Sequence, residues 1–545
     1  MERLKDVNFK VKEPYHRVFL FLLSGLILLG CLIRFVGIQE NRFVYFDEGM
    51  WLNHNRGFVE MVKAHPPQNL ADVGKALFFF FRVSIETAKP LWSFISSLRY
   101  FFTGSEGWYF VRMVSAICGC LTVMMVFLLV RRLYQSVGLA CLSAALLAVL
   151  PSHIYYSQLG LQESFSTLFF LLGIYLYVRK VEFNIIHVLW SGFFLAMVFL
   201  SNYRMVVSPI FICMIECYLS WVQHRKFDLR KFVWLTLVFL FFGLGVGIFN
   251  KGHNVYVSFG WMFHQSSLAK GHCEWFNLLS YPYFIFNLET WIFGLLFFGS
   301  MYFLWRKEWL KFFPALVVFL QMILFSFSQE KAARFLCVVL PFMAIASALV
   351  INEGLIRIQH RYLKKVLYVC MVFMLAQQLK ADAAIIRFTT DYQSSMEFIR
   401  QKTPAAKILS TQSEIQTLYA SQAQDVLKVP MDHAKLLEYA GLGYQYLILD
   451  PQAYISYTDN QKRFSLKLAG YLGFLEQTVK PVETFPHFRP ELLKRFVFDQ
   501  NESLWQSINF LKQNQDGHLG TLKIYAMNDC IEAIQQAVAH SKKVQ

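Results

Sequence analysis

The sequence predicts an all-α polytopic membrane domain followed by a C-terminal extracytoplasmic α/β domain. Three observations carry that expectation. Apolar runs of about 17–22 residues, the length a helix needs to cross the hydrocarbon core, recur through roughly the first 380 positions. Mean hydropathy is +0.39, with 56% apolar and only 16% charged residues, which excludes an ordinary soluble protein. Beyond these runs the pattern changes to short strand-like segments alternating with helical ones.

The first run, Val18 to Ile38, is too long for a signal-peptide core and lacks a small-residue cleavage site, so it reads as a retained anchor. About eleven spans follow from the apolar runs, near 18–38, 108–130, 138–155, 163–179, 184–200, 205–222, 232–249, 287–305, 312–327, 335–351 and 363–379. Basic residues gather before the first span (Lys5, Lys10, Lys12, Arg17), then at Arg131-Arg132, Arg179-Lys180 and Arg225-Lys226 with Arg230-Lys231. They recur at Arg306-Lys307 and at Arg357, Arg361, Lys364 and Lys365. All these clusters fall on one side, while the opposite loops 152–162 and 201–204 carry almost no Lys or Arg, so the N-terminus is expected in the cytoplasm. Residues 39–107 and 250–286 then become outer loops. In the first of them, Ala76 to Arg82 is expected to lie in the membrane interface.

The abundance of Phe (56) and Tyr (26) suits lipid contact and interfacial belts. The net charge of +16 raises nucleic acid as a partner, but the basic residues sit at span ends, which excludes it. Most of the ten cysteines lie inside apolar runs and read as small buried side chains. Cys273 and Cys530 lie in polar stretches, the one pair a disulfide would join, and no metal-ligand spacing is present.

The domain expected over 381–545 has strand-like runs at Lys407–Ser410, Tyr444–Leu449, Pro481–Phe485 and Leu522–Tyr525, with helical patterns at Ala434–Ala440 and Leu504–Lys512. It carries neither a Gly-rich phosphate loop nor a nucleophile elbow, so no chemistry is assigned to it.

Asp47 and Glu48 follow the first span in Val44-Tyr45-Phe46-Asp47-Glu48-Gly49. Acids here cap a following helix, or they act on a lipid head group; ionisable groups beside hydrocarbon are costly and usually kept for a purpose. With the orientation above, Asp47, Glu48, Lys89, Arg112, His153, Gln158, Glu163, Tyr203, Arg204, Lys331 and Arg334 all face outward and are expected to converge on one cavity. Each has a plain structural reading as well. Lys89 snorkels, Arg112 anchors a span, Glu163 opens a helix, and His153 belongs to an interfacial belt. Arg204 is harder to dismiss, because a lone Arg in a short outer turn opposes the positive-inside pattern. Arg334 is preferred to Lys331 because a guanidinium forks onto phosphate oxygens. Cations beside carboxylates at the outer leaflet point to a phosphate-bearing lipid, with a carboxylate acting on a hydroxyl.

The order of these motifs resembles a known family. An acidic pair follows the first span, then come Lys89-Pro90, the run Gly104, Gly107 and Arg112, and Pro151 to Gln158 with Glu163. Late in the chain stands Glu330-Lys331-Ala332-Ala333-Arg334-Phe335-Leu336 before Pro341. Together, over about residues 15–350, they resemble the GT-C superfamily of integral-membrane glycosyltransferases, in the protein O-mannosyltransferase and lipid A aminoarabinose transferase group.

The resemblance implies a GT-C fold and transfer of a sugar from a polyisoprenyl-phosphate carrier to an acceptor hydroxyl on the extracytoplasmic face. Asp47 is then the general base and inversion the outcome, with Glu48 beside it. Lys89, Arg204, Lys331 and Arg334 bind the donor phosphate, and Arg112, His153, Glu163 and Tyr203 support them. Lys89 matches the Lys of the aminoarabinose transferase Glu-Lys-Pro motif, but Ala88 stands where that motif has a metal-coordinating Glu, and Glu86 is shifted. No obligatory metal is therefore expected, and a divalent cation stays open. The acceptor, whether protein, lipid or glycan, and the sugar stay open as well. A bacterial inner membrane with a periplasmic site is the expected location; an ER membrane would show the same topology. A transporter or flippase, or a non-catalytic binder of lipid-linked sugars, is the alternative. Transporters keep their charges near the midplane, however, whereas here they gather at the outer ends.

Overall fold

The computed structural model describes residues 13–40, 44–76, 89–102, 109–179, 183–222, 226–248, 278–326, 332–430, 432–450, 466–487, 490–500, 504–513 and 520–544. The chain divides into two compact units, the first made of residues 1–38, 55–329 and 333–386, the second of 39–54, 330–332 and 387–545.

The first unit is helical. Among the described residues five helices are long and apolar enough to cross a membrane: Tyr109–Tyr134, Arg204–Trp221, Trp309–Ser326, Ala333–Arg357 and Arg361–Ile386. A sixth span forms if the bent pair Val137–Ala148 and Pro151–Gln158 is counted as one. Val18–Ile33, Ile185–Ser201 and Trp291–Trp305 are shorter apolar helices.

Several expected spans are thus interrupted, and the sequence supplies the reasons. The run 138–155 bends by 59° where Pro151, which has no N–H to donate back, starts a new helix. The run 287–305 is broken after Ser280–Leu288, where Thr290 adopts φ 84° and its hydroxyl accepts from the Phe293 amide that opens the next helix. The run 335–351 begins as a 3-10 segment, Ala333–Val339, and turns α-helical at Leu340 beside Pro341. The first helix, Glu13–Ile33, stops short of Ile38 because Arg34 folds back on it. The Arg34 guanidinium donates to the carbonyls of Gly30 and Ala148, the latter at 2.8 Å.

Val137–Ala148 and Leu340–Arg357 are apolar around most of their circumference and form the buried centre of this unit. Gly30 packs directly on the Ala148 backbone, so closely that a Cβ there would lie 2.7 Å from the Ala148 carbonyl carbon.

The second unit holds a five-stranded sheet in the order β2-β1-β3-β5-β4. The strands are β1 Lys407–Ser410, β2 Asp425–Lys428, β3 Tyr444–Leu449, β4 Glu483–Phe485 and β5 Leu522–Ala526. β1 runs parallel to β2 and β3, while β5 is antiparallel to β3 and β4. β1 and β3 coincide with strand-like runs of the sequence, as do β5 and the end of the 481–485 run. β2 had no signal, because this edge strand is mostly exposed and shows no apolar alternation. Leu409, Leu447, Leu449, Tyr525 and Cys530 lie in one buried cluster, so Cys530 is a core residue; Cys273 lies outside the described residues.

Candidate active site

In the first unit the helix Glu163–Arg179 begins with a buried acid, and neighbouring elements bring cations to it. Lys89 precedes Pro90, the first residue of the helix Pro90–Phe102, and its carbonyl accepts the Ser93 amide at 3.0 Å. Trp92 in that first turn is fully buried, 5.9 Å from the Phe165 ring, which holds the Lys89 end of the helix beside Glu163. Ser166 and Ser201 share a hydrogen bond of 3.0 Å that ties the end of Ile185–Ser201 to the start of Glu163–Arg179. The chain then turns at Asn202 into a 3-10 helix, Tyr203–Val207, which carries Arg204. Arg204 lies over the Phe335 ring at 4.3 Å, next to Arg334 in the Ala333–Val339 segment.

The charges of Arg334, Lys89 and Arg204 all act on the Glu163 carboxylate. Lys89 and Glu163 are buried, and the two arginines are half-buried. Glu163 Oε1 accepts from Gln162 at 3.0 Å, while its buried Oε2 has no hydrogen-bond partner among the described residues. Three cations and one carboxylate thus share a water-poor setting, where charge-assisted contacts are strong.

Arg112 is buried, one turn before Ser115, whose hydroxyl donates to the Leu161 carbonyl at 3.1 Å, at the turn that leads into Glu163. His153 is brought elsewhere. Its Nδ1 lies 2.6 Å from Arg34, and Gln158 on the same short helix donates to the Ile33 carbonyl at 2.9 Å. These two residues clamp the end of the first helix. The backbone of Tyr203 lies in the 3-10 turn; its side chain, like all of Lys331, lies outside the described residues, as do Glu86, Ala88, Gly104 and Gly107.

Asp47 and Glu48 belong to the second unit, in the first turn of Phe46–Ala64. Glu48 is 1% exposed, and its Oε2 accepts from the amides of Val44 at 3.0 Å and Tyr45 at 3.3 Å. This is the reach-back half of a capping box, so one oxygen of Glu48 serves the helix end. Asp47 is half-buried.

Arg34 and Glu289 are among the buried ionisable residues that were not singled out in the sequence. Arg34 was hidden inside the apolar run 18–38, and Glu289 opens the broken run 287–305. Glu289 is 2% exposed and accepts the Ser152 amide at 3.2 Å. The signal for both was an ionisable residue within an apolar stretch. Among the described residues, no three His, Cys, Asp or Glu side chains gather as a metal-ligand set.

Residues 88–263 match the family model of dolichyl-phosphate-mannose-protein mannosyltransferases. The matched stretch, 176 of the 545 residues, is thus similar to a family of membrane mannosyltransferases. The matched stretch holds Lys89, Arg112, His153, Glu163, Tyr203 and Arg204; Asp47 and Arg334 lie outside it. The apo crystal structure of ArnT from Cupriavidus metallidurans aligns at 12% identity and TM-score 0.55, covering 93% of this chain and 98% of that one. ArnT bound to undecaprenyl phosphate aligns at 11% identity and TM-score 0.53, with the same coverage. At that identity the likeness establishes a shared fold. No curated protein matches the sequence.

Proposed function

We propose that this protein is a glycosyltransferase that moves a sugar from a polyisoprenyl-phosphate donor to an acceptor hydroxyl of a protein, lipid or glycan on the extracytoplasmic face. The observation that carries the reading is the buried Glu163 acted on by Arg334, Lys89 and Arg204. The undecaprenyl phosphate bound by the fold neighbour ArnT supports a donor of that class.

In this mechanism the acceptor oxygen attacks the anomeric carbon from the face opposite the phosphate. The carbon–phosphate oxygen bond breaks with its electron pair passing to the phosphate, and the acceptor proton passes to Asp47, so configuration inverts. The leaving lipid phosphate is a stable anion and needs no proton. It needs cations where charge accumulates, which Lys89, Arg204 and Arg334 supply. Glu163 holds those cations in place before the donor arrives, and Glu48 fixes the turn that bears Asp47. No step uses a metal. We further take residues 1–380 as the membrane domain with its N-terminus in the cytoplasm, and 381–545 as a periplasmic domain of a bacterial inner-membrane enzyme.

The test is transfer of labelled sugar from a polyprenyl-phosphate donor by the full chain in detergent. Asp47→Asn is expected to lower kcat by about 100-fold or more with donor binding retained. Transfer at the wild-type rate by Asp47→Asn would remove the base assignment, and donor binding without any turnover by the wild type would favour a non-catalytic binder.

A further inference from the structure

The turn that bears Asp47 is gripped along one face by the α/β domain. Tyr45, the residue before the helix, is 1% exposed; its hydroxyl donates to Asp499 Oδ2, and its ring packs on Phe496 at 5.7 Å. One turn further, a Cβ on Gly49 would lie 2.8 Å from the Glu414 carbonyl carbon and the Ile415 nitrogen, so glycine there lets two backbones touch. Another turn on, Asn53 Nδ2 donates to the Glu414 carbonyl at 2.6 Å and to its carboxylate at 2.9 Å. Positions 45, 49 and 53 form a single stripe, since residues four apart are helix neighbours. Asp47, two residues from both Tyr45 and Gly49, falls on the opposite face at about 100° per residue.

We propose that the α/β domain is a positioning element for the catalytic carboxylate. Asp499 and Glu414 hold the Tyr45–Gly49–Asn53 stripe and so present Asp47 in one fixed orientation. This inference rests on Asp47 being the base. A purely adhesive domain has no need of a hydroxyl–carboxylate bond at the residue preceding the first turn, nor of a glycine-sized approach one turn later. A displacement of about 1 Å in a general base can cost on the order of 100-fold in rate, so the grip matters for turnover more than for donor binding.

The experiment uses the full chain in detergent, with transfer from a labelled polyprenyl-phosphate sugar and binding of polyprenyl phosphate measured separately. Tyr45→Phe keeps the ring and removes the hydroxyl, and Asp499→Asn keeps the shape and removes the charge. Each is expected to lower kcat about tenfold while donor KM and polyprenyl-phosphate binding stay within about twofold. The double variant should be no worse than the weaker single one, because both break the same bond. Wild-type kcat in Tyr45→Phe, or a fall in donor binding matching the fall in kcat, overturns the proposal. Should Asp499→Asn fail to fold, Tyr45→Phe decides alone. If Asp47→Asn retains full transfer, the base assignment fails; if Asp47→Asn is inactive and Tyr45→Phe is unaffected, the positioning role alone fails.

Discussion

Arg34 Nη2 lies 2.6 Å from His153 Nδ1, and both side chains are fully buried. Arg34 is a permanent donor, so Nδ1 accepts and the imidazole proton resides on Nε2. The pair locks the end of the first helix to the short helix Pro151–Gln158. His153→Ala removes the acceptor and leaves a buried guanidinium N–H unpaired, which should cost about 1–3 kcal/mol of stability. Thermal melting in detergent checks this, with donor KM expected to be unchanged in the folded protein. A variant that melts like wild type but binds donor poorly would instead return His153 to the donor site.

The cluster around Glu163 makes a separable prediction. Arg334→Gln removes the cation that acts most strongly on that carboxylate. Donor KM should rise by about tenfold or more, equivalent to roughly 1.4 kcal/mol. Arg334→Lys should recover part of it, since an ammonium keeps the charge and loses the fork. Glu163→Gln should leave acceptor KM alone and alter donor KM. Equal donor KM in Arg334→Gln and wild type would mean that Arg334 is an ordinary span-end residue.

How much of this was legible in the sequence depended on whether the signal was local. Glu163, Arg204 and Arg334 stood out because each is a charge at a span end on the side with few charges, and Lys89 because it precedes Pro90 in an outer loop; the fold brings these four together. β1 and β3 were legible because their apolar residues run together in the buried layer. Arg34 was not, since one charge in a long apolar run reads as part of the span. The grip on the Asp47 turn left no trace either: Tyr45 and Asp499 are 454 positions apart, and Asn53 and Glu414 are 361 apart. Span lengths failed where single residues intervene, at Pro151 and Thr290, because hydropathy averages over such breaks.

Gly30 gives a packing prediction. Its Cα faces the Ala148 backbone with no room for a methyl group, the contact being 2.8 Å even to the Ala148 Cβ. Helices in a bilayer gain by such close approach, which small residues permit. Gly30→Ala should force the first helix away from Val137–Ala148 and lower stability by about 1–3 kcal/mol, despite the better helix propensity of alanine. Melting temperature in detergent reads it out. Unchanged melting would show that the first helix shifts at no cost.

The α/β domain carries a group whose titration should govern its acid stability. His487 is fully buried, its Nδ1 accepts the Asp391 amide at 3.0 Å, and its ring meets Tyr392 edge-on at 4.3 Å. Asp450 is 3.6 Å from its Nε2, but the same carboxylate oxygen already accepts the Tyr392 hydroxyl at 2.5 Å. Burial pushes the imidazole down to about 3, and protonating Nδ1 would also break the bond to Asp391. The unfolded chain takes up that proton below about pH 6.5, whereas the folded domain refuses it until about pH 3. The contribution is therefore fully present above pH 6.5 and is lost as pH falls towards 3, at about 1.4 kcal/mol per pH unit. Other carboxylates titrate over part of the same range, so the comparison must be with His487→Gln, which keeps an acceptor for the Asp391 amide and cannot titrate. That variant should be less stable than wild type at pH 7, with the gap narrowing by about 2 kcal/mol between pH 6.5 and 5. Melting curves of the two proteins that stay parallel across that range would show that the unfolded and folded forms hold this proton alike.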